Sequence, residues 1–467
     1  MIPLAQLRPT RGELREMLRL ATPVVIAQVG LMLMGVVDTA MVGRVSPATI
    51  AAVALGHIYW VNLTIPGIGI LLVLDPVVSQ AVGAKDAVAI ARGVQRGVLL
   101  ALALAVPTSL LLVPGEVFFG LLRQPAEVTP IAATFSRWSI IGVVPFYLFV
   151  VLRQSLQAMA KVRPVVLSIV AANLLNAGLN WVLIYGHLGA PALGAVGSAL
   201  STVMSRWMML GLLVALGWRQ LAPALLPWRA ESWGRGPMLR MVRIGLPIGF
   251  QQWLEVAVFA AGAVFIGWFG TVPLAGHEIA LNLAALTFMV PMGISAAAAA
   301  MVGRAIGRRD LAAARRDAVA AIAVGVLFMT AAAFAFVGFP VTLASLFVSD
   351  PGTVEMAASL ILIAGVFQVF DGIQGVSAGV LRGTGDTRVP MLLHLGGFWG
   401  IGIPLSLGLG FGLHLGPRGI WWGYVGSTLS VAVLQLLRVR WRLAQDIRRL
   451  EIDESSEYAV VVDAPEE

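Results

Sequence analysis

The sequence predicts an all-α integral membrane protein of about twelve transmembrane helices, set in two pseudo-symmetric lobes of about six helices each. Three observations lead there. Of 467 residues, 58% are hydrophobic and only 12% are charged, against roughly 25% charged in ordinary soluble domains. The apolar stretches run about 20 residues or longer between breaks rich in Arg and Pro, a helix length rather than the roughly ten-residue alternating strands of an outer-membrane barrel. The chain also repeats itself: Pro23 and Pro247, Gly43 and Gly267, Gly83 and Gly307, and Asp86 and Asp310 are each separated by the same 224 residues.

Taken in order, the expected spans are Leu20–Val42, Ile50–Val82, Gly97–Leu121, Phe135–Leu156, Val165–Tyr185 and Val196–Gly217, then Ile244–Phe269, Leu274–Val302, Ala318–Leu346, Ala357–Leu381, Pro390–Leu413 and Trp421–Leu437. The first span follows Arg8, Arg11, Arg15 and Arg19. Its length, the Asp38 within it and the lack of a small-residue cleavage site mark it as a retained helix rather than a signal peptide. The polar break rich in Pro, Trp and Arg divides the chain into an amino lobe (1–217), a connector (218–243), a carboxy lobe (244–450) and an acidic tail (451–467), expected to be disordered from Asp453 to Glu467. An even number of spans per half makes the repeats parallel, the plan of transporters that bind substrate near the membrane midplane and expose it alternately to each side. Lys and Arg gather at one side of the predicted topology. Both termini are therefore expected to be cytoplasmic, in a bacterial-type inner membrane.

The net charge of +8 comes mostly from Arg at span ends, which fits this topology and not a nucleic-acid-binding face. There is no cysteine, so disulfides, thiolate nucleophiles and cysteine metal sites are excluded. Phosphate-loop and HExxH constellations are missing from the sequence, so neither ATP drive nor metallohydrolase chemistry is expected. The protein is read as no enzyme, without a cofactor, driven by an ion gradient.

Polar residues inside the spans are the candidate sites, because a charged side chain at the bilayer centre costs about 2.5–3.5 kcal/mol or more. Asp38 lies deep in the first span. Asn173, Asn176 and Asn180 form one helical stripe in the fifth, with Thr202 in the sixth as a weaker companion. Such amides serve either helix–helix hydrogen bonding or a hard cation such as Na⁺, which takes oxygen ligands. Gln251 and Gln252 share a face with Glu255 in the seventh span, and Gln368 and Gln374 flank Asp371 in the tenth. Either acidic face could take up a proton or a cation. Glu278 and Asn282, near the start of the eighth span, are an exposed interfacial pair or part of a substrate cavity. Asp75-Pro76 reads as a helix distortion rather than a site.

The strings Met34-Gly-Val-Val-Asp-Thr-Ala-Met-Val-Gly43, Leu254-Glu-Val-Ala-Val-Phe-Ala260, His277-Glu-Ile-Ala-Leu-Asn282 and Gln368-Val-Phe-Asp-Gly-Ile-Gln374 with Leu381-Arg-Gly383 resemble the multidrug and toxic compound extrusion (MATE) family, its NorM-like branch most of all. Their order and spacing cover essentially the whole chain. The resemblance implies a MATE-like fold that exports small organic cations across the lipid bilayer in exchange for Na⁺ or H⁺. It also implies an amino-lobe cation or proton site at Asp38, Asn176 and Asn180, and a carboxy-lobe pair at Glu255 and Asp371. Either set is a candidate Na⁺ site. Gln251, Gln252, Glu278, Asn282, Gln368, Gln374, Asn173 and Thr202 are candidates for the substrate cavity. The family commonly has Gln where Glu278 stands, and Asp in place of Asn180 belongs to another branch. A monomer is expected. The alternatives are a flippase for a lipid-linked precursor, which calls for a cationic cavity, and an intramembrane hydrolase using Glu255 and Asp371 as an acid pair.

Overall fold

The computed structural model describes residues 9–453. Among these, twelve helices are long and apolar enough to cross a membrane: α1 Arg11–Val42, α2 Pro47–Gly83, α3 Ala87–Leu112, α4 Thr129–Ala158, α5 Arg163–Tyr185, α6 Ala195–Leu225, α7 Arg235–Gly267, α8 Thr271–Gly307, α9 Leu311–Gly338, α10 Pro351–Gly383, α11 Arg388–Gly412 and α12 Pro417–Ala444. Helices α1–α6 are termed the amino lobe and α7–α12 the carboxy lobe, after the sequence repeat.

The starts of the helices are written locally. Thr10 and Glu13 make a reciprocal capping box on α1, and Ser46 caps α2 ahead of Pro47 at its first position. Asp86 accepts from the Ala89 amide at 2.9 Å and Asp310 from the Ala313 amide at 2.9 Å, so the repeat conserves the cap that starts α3 and α9. The residues just before these caps, Lys85 and Arg309, both take left-handed backbone at φ 57° and 58°. The repeat thus extends to single backbone angles.

Proline sets several ends differently from the periodicity. The third and ninth spans were expected to reach Leu121 and Leu346, but Pro114 and Pro340 cannot donate the next helical hydrogen bond. Their helices stop at Leu112 and Gly338, and Gly115–Leu121 and Pro340–Ser345 follow as separate short helices. The connector is shorter than 218–243. Helices α6 and α7 continue to Leu225 and from Arg235, because helical hydrogen bonding does not end where hydropathy falls, and the Trp and Arg there suit the ends of a membrane span.

The face at which α1 begins and α12 ends carries most of the Arg residues and is called the basic face. Every ion pair joining the lobes among the described residues lies here: Glu13–Arg316 (2.6 Å), Glu16–Arg304 (3.1 Å), Asp75–Arg382 (2.7 Å), Asp86–Arg449 (2.9 Å) and Asp453 with Arg96 (2.5 Å) and Arg92 (3.1 Å). The last three pairs belong to a strap after α12. Its Ile447 is buried among carboxy-lobe residues and its Ile452 in the amino-lobe core. Asp453, expected to be disordered, is therefore held, while 454–467 of the acidic tail lie outside the described residues. A close helix crossing also lies in this half, where Gly69 of α2 meets Gly249 of α7 backbone to backbone. A Cβ at either position would overlap the other helix.

Candidate functional site

Between the lobes lies a cavity of about 460 Å³ whose walls include Phe146, Phe259, Phe288, Phe367 and Met292. It is sealed on the basic side. There Asp75 accepts from Arg382 of the opposite lobe at 2.7 Å and from Gln154 at 2.6 Å, and Arg153 donates to Gln28 at 3.1 Å. Asp75 reaches this position because α2 breaks ahead of Pro76, which has no amide hydrogen to continue the helix; the Leu72 carbonyl accepts from the Asp75 amide instead, at 3.0 Å. The distortion read from Asp75-Pro76 is present, but the carboxylate also joins the lobes.

The carboxy-lobe cluster lies on one wall. Glu255 and Asp371 are bridged by Gln374, whose Nε2 donates to Glu255 Oε1 at 3.0 Å and to Asp371 Oδ1 at 3.1 Å. Behind Gln374 is His394 of α11, fully buried, with Nε2 2.8 Å from Gln374 Oε1, 3.2 Å from Gln251 Nε2 and 4.0 Å from Glu255 Oε2. The other ring nitrogen is 3.1 Å from Gln435 Nε2 and 3.0 Å from the Pro390 carbonyl. Immediately after His394, α11 widens into a π-type stretch over Leu395–Gly402, a local geometry frequent at functional sites. Trp399 in this stretch donates to the Leu254 carbonyl at 3.2 Å, tying α11 to the helix that carries Glu255.

The amino-lobe cluster is separate and lies inside its own lobe. Asp38 accepts from Asn180 Nδ2 at 2.6 Å and from Thr202 Oγ1 at 2.7 Å, while Asn180 also reaches Asn176 Oδ1 at 3.3 Å. Asp38, Asn176 and Asn180 are buried. The Oδ1 of Asn180 has no hydrogen-bond partner among the described residues. A carboxylate, two amide oxygens and a hydroxyl, one of them an orphaned buried acceptor, are the donor set a hard cation prefers. Arg206, on the next turn of α6 from Thr202, stacks on Trp60 with its guanidinium 3.7 Å from the ring centre.

The expected residues thus sort into five places. Glu255, Asp371, Gln374, Gln251 and Gln252 line the central cavity. Asp38, Asn176 and Asn180 meet as expected, but Thr202 belongs with Asp38 and not with the cavity. Asn173 also lies elsewhere, donating to the Gly30 and Ile169 carbonyls at 3.0 and 2.9 Å as a pin between α5 and α1. Gln368 accepts from Thr287 at 2.9 Å against α8, because one face of α10 is covered by that helix. Glu278 and Asn282 are exposed and do not line the cavity, although they extend the helical stripe of Leu281 and Ala285, which do. His394 and Gln435 were missed. Each stands alone in an apolar run, Met391-Leu-Leu-His-Leu395 and Val433-Leu-Gln-Leu-Leu437, so the unexplained-polarity argument that found Glu255 applies to both.

The MatE family profile matches residues 23–182 and again 247–407. Among curated relatives, the "Multidrug resistance protein MdtK" of Yersinia pseudotuberculosis is 35% identical over 92% of this chain and 95% of its own length. The "Probable multidrug resistance protein NorM" of Bradyrhizobium diazoefficiens is 34% identical over 92% and 93%. Among solved structures, the eukaryotic MATE transporter AtDTX14 matches with a TM-score of 0.84 at 21% identity, over 92% of this chain and 97% of that one. An outward-facing multidrug resistance MATE transporter matches with a TM-score of 0.84 at 20% identity, over 95% and 98%; at these identities the likeness is one of fold. Two family matches covering most of a chain with twelve spans, together with relatives above 30% identity along nearly its full length, show that this multi-pass membrane protein is a member of the MATE family of transporters and not an enzyme.

Proposed function

We propose that the protein is a secondary antiporter of the inner membrane that exports small organic cations in exchange for Na⁺ or H⁺. The observation that carries this reading is the cavity itself: aromatic and aliphatic walls around the Glu255–Gln374–Asp371 bridge. An amphipathic cation gains from burying apolar surface, from aromatic faces and from the paired carboxylates. A flippase for an anionic lipid-linked precursor is disfavoured, since Arg382 is committed to Asp75 and Arg153 to Gln28. With the basic face in the cytoplasm, as the excess of Arg at that face supports, both termini are cytoplasmic and the cavity opens outward. An entering cation or proton at Asp38 or at the Glu255–Asp371 pair then favours return to the inward-facing state, where drug loads, by its different affinity for the two states. Each chain encloses its own cavity, so the monomer is the working unit.

The test is efflux of ethidium from proteoliposomes under a Na⁺ gradient alone and a pH gradient alone. Glu255→Gln, Asp371→Asn and Asp38→Asn are each compared with wild type. Wild-type transport by all three variants would overturn the site assignment, and transport indifferent to both gradients would overturn the antiport reading.

A further inference from the structure

The bridge between Glu255 and Asp371 depends on which way the Gln374 carboxamide points. Its nitrogen carries two hydrogens and gives one to each carboxylate, so its oxygen must face away and accept. Turned over, the amide would present an oxygen to two carboxylates. At the accepting position the structure supplies one ring: His394 Nε2, 2.8 Å from Gln374 Oε1. Satisfying Gln374 therefore requires the imidazole proton on Nε2, which leaves Nδ1 to accept from Gln435 Nε2–H at 3.1 Å while the Pro390 carbonyl, 3.0 Å from the same nitrogen, receives no proton from the ring. With the proton on Nε2, Gln251 turns its carboxamide oxygen to the ring at the 3.2 Å contact, an orientation set by the network.

We propose that His394 is a positioning residue for ion coupling: from behind the cavity wall it fixes the orientation of Gln374 and so holds the two carboxylates ready for the coupling ion. This rests on the reading of Glu255 and Asp371 as a coupling pair. The ring is braced for the task on three helices: Gln374 is on α10, Gln251 on α7 and Gln435 on α12. The π-type stretch beginning at Leu395, with Trp399 docked on the Leu254 carbonyl, fixes α11 against the helix carrying Glu255. His394 has no exposed surface and acts through Gln374.

The test is a double-mutant cycle read in proteoliposomes. Ethidium efflux is measured while NaCl is titrated at constant pH, and separately while external pH is titrated without Na⁺, giving a half-saturation value for the effective ion and a maximal rate. His394→Leu is expected to shift apparent ion affinity about tenfold, weaker for Na⁺, whose two carboxylates are no longer held together, and tighter for H⁺, because the amide donors that stabilise the ionised pair are lost, with less than a threefold loss of maximal rate. His394→Gln keeps an N–H donor and is expected to restore affinity to within about threefold. In a Gln374→Leu background, His394→Leu is expected to add less than twofold. Full additivity, or failure of the Gln variant to rescue, would overturn the proposal. Should neither His394 variant reach the membrane, Gln435→Leu removes the brace from the other ring nitrogen. An affinity shift that vanishes in the Gln374→Leu background supports the proposal, and one that persists overturns it. Wild-type coupling in Glu255→Gln and Asp371→Asn would instead sink the underlying site reading, a distinct outcome.

Discussion

Replacing Arg382 by Leu should unlock the basic side of the cavity. Asp75 and Arg382 belong to opposite lobes, lie 2.7 Å apart and have side chains only 6% and 13% exposed. Removing one partner of a buried pair costs about 3–5 kcal/mol, chiefly because the other charge stays buried and uncompensated. Asp75 would retain Gln154 at 2.6 Å and its attraction to Arg153, which argues for the low end, about 3 kcal/mol. The penalty applies only while the basic side is closed, since opening returns Asp75 to water. At about 1.4 kcal/mol per tenfold, the equilibrium should shift roughly a hundredfold toward the basic-side-open state. The absence of native cysteine allows spin labels at Lys161→Cys and Arg308→Cys, exposed positions at the basic ends of the two lobes. Their separation, measured by electron–electron double resonance, should show a longer-distance population in Arg382→Leu that largely disappears when Asp75→Asn is added. An unchanged distance distribution in the single variant would refute the latch.

Thr202→Val keeps shape but removes a hydrogen bond to the Asp38 carboxylate at 2.7 Å. Hydrogen bonds to charged groups are worth about 1.5–3 kcal/mol, so the half-saturation value should move about tenfold if Asp38 binds the ion, toward tighter binding for H⁺, because the bond stabilises the ionised carboxylate, and toward weaker binding for Na⁺, which loses a hydroxyl oxygen. An unaltered titration would count against that role. Gly69→Val places a side chain in the backbone of Gly249. Strain of about 1–3 kcal/mol should lower the melting temperature and lengthen the Lys161–Arg308 label distance. The strap should be insensitive to pH across the neutral range. The Ala89 amide and then Arg449 hold Asp86 below its usual value, and Arg96 and Arg92 do so for Asp453 despite its partial burial. A depressed folded-state pKa contributes stability above the unfolded value of about 3.9, lost as pH falls through the folded value. Melting curves of wild type and Asp86→Asn/Asp453→Asn should therefore differ by a constant amount above about pH 5 and converge only in stronger acid; convergence already at pH 6 would contradict the pairing.

The repeat was legible because it is written in residues with backbone consequences: capping Asp86 and Asp310, and the left-handed Lys85 and Arg309 before them. Intramembrane acids were legible because polarity inside a span needs a reason. Their partners were harder to read. A helical stripe places Asn173, Asn176 and Asn180 on one side of α5, but cannot show that Asn173 ends against the Gly30 carbonyl while Asn180 reaches Asp38. Likewise Gln368 and Gln374 flank Asp371 symmetrically in sequence, and only the packing of α8 against α10 separates them.

Span number, parallel repeats and the positions of the buried carboxylates follow from local rules, because length, hydropathy and capping act over one helix or less. The division of labour between the lobes does not. The residue one repeat from Asp38 is Gly262, and the space a side chain would need there is taken by the hydroxyl of Tyr424, 162 residues further along the chain. The carboxy lobe thus cannot copy the amino-lobe site. It carries its acids instead on Glu255 and Asp371, held by a glutamine and a histidine from separate helices. Which helix fills a given space is decided by packing among segments far apart in the chain, and that arrangement exists only in the folded bundle.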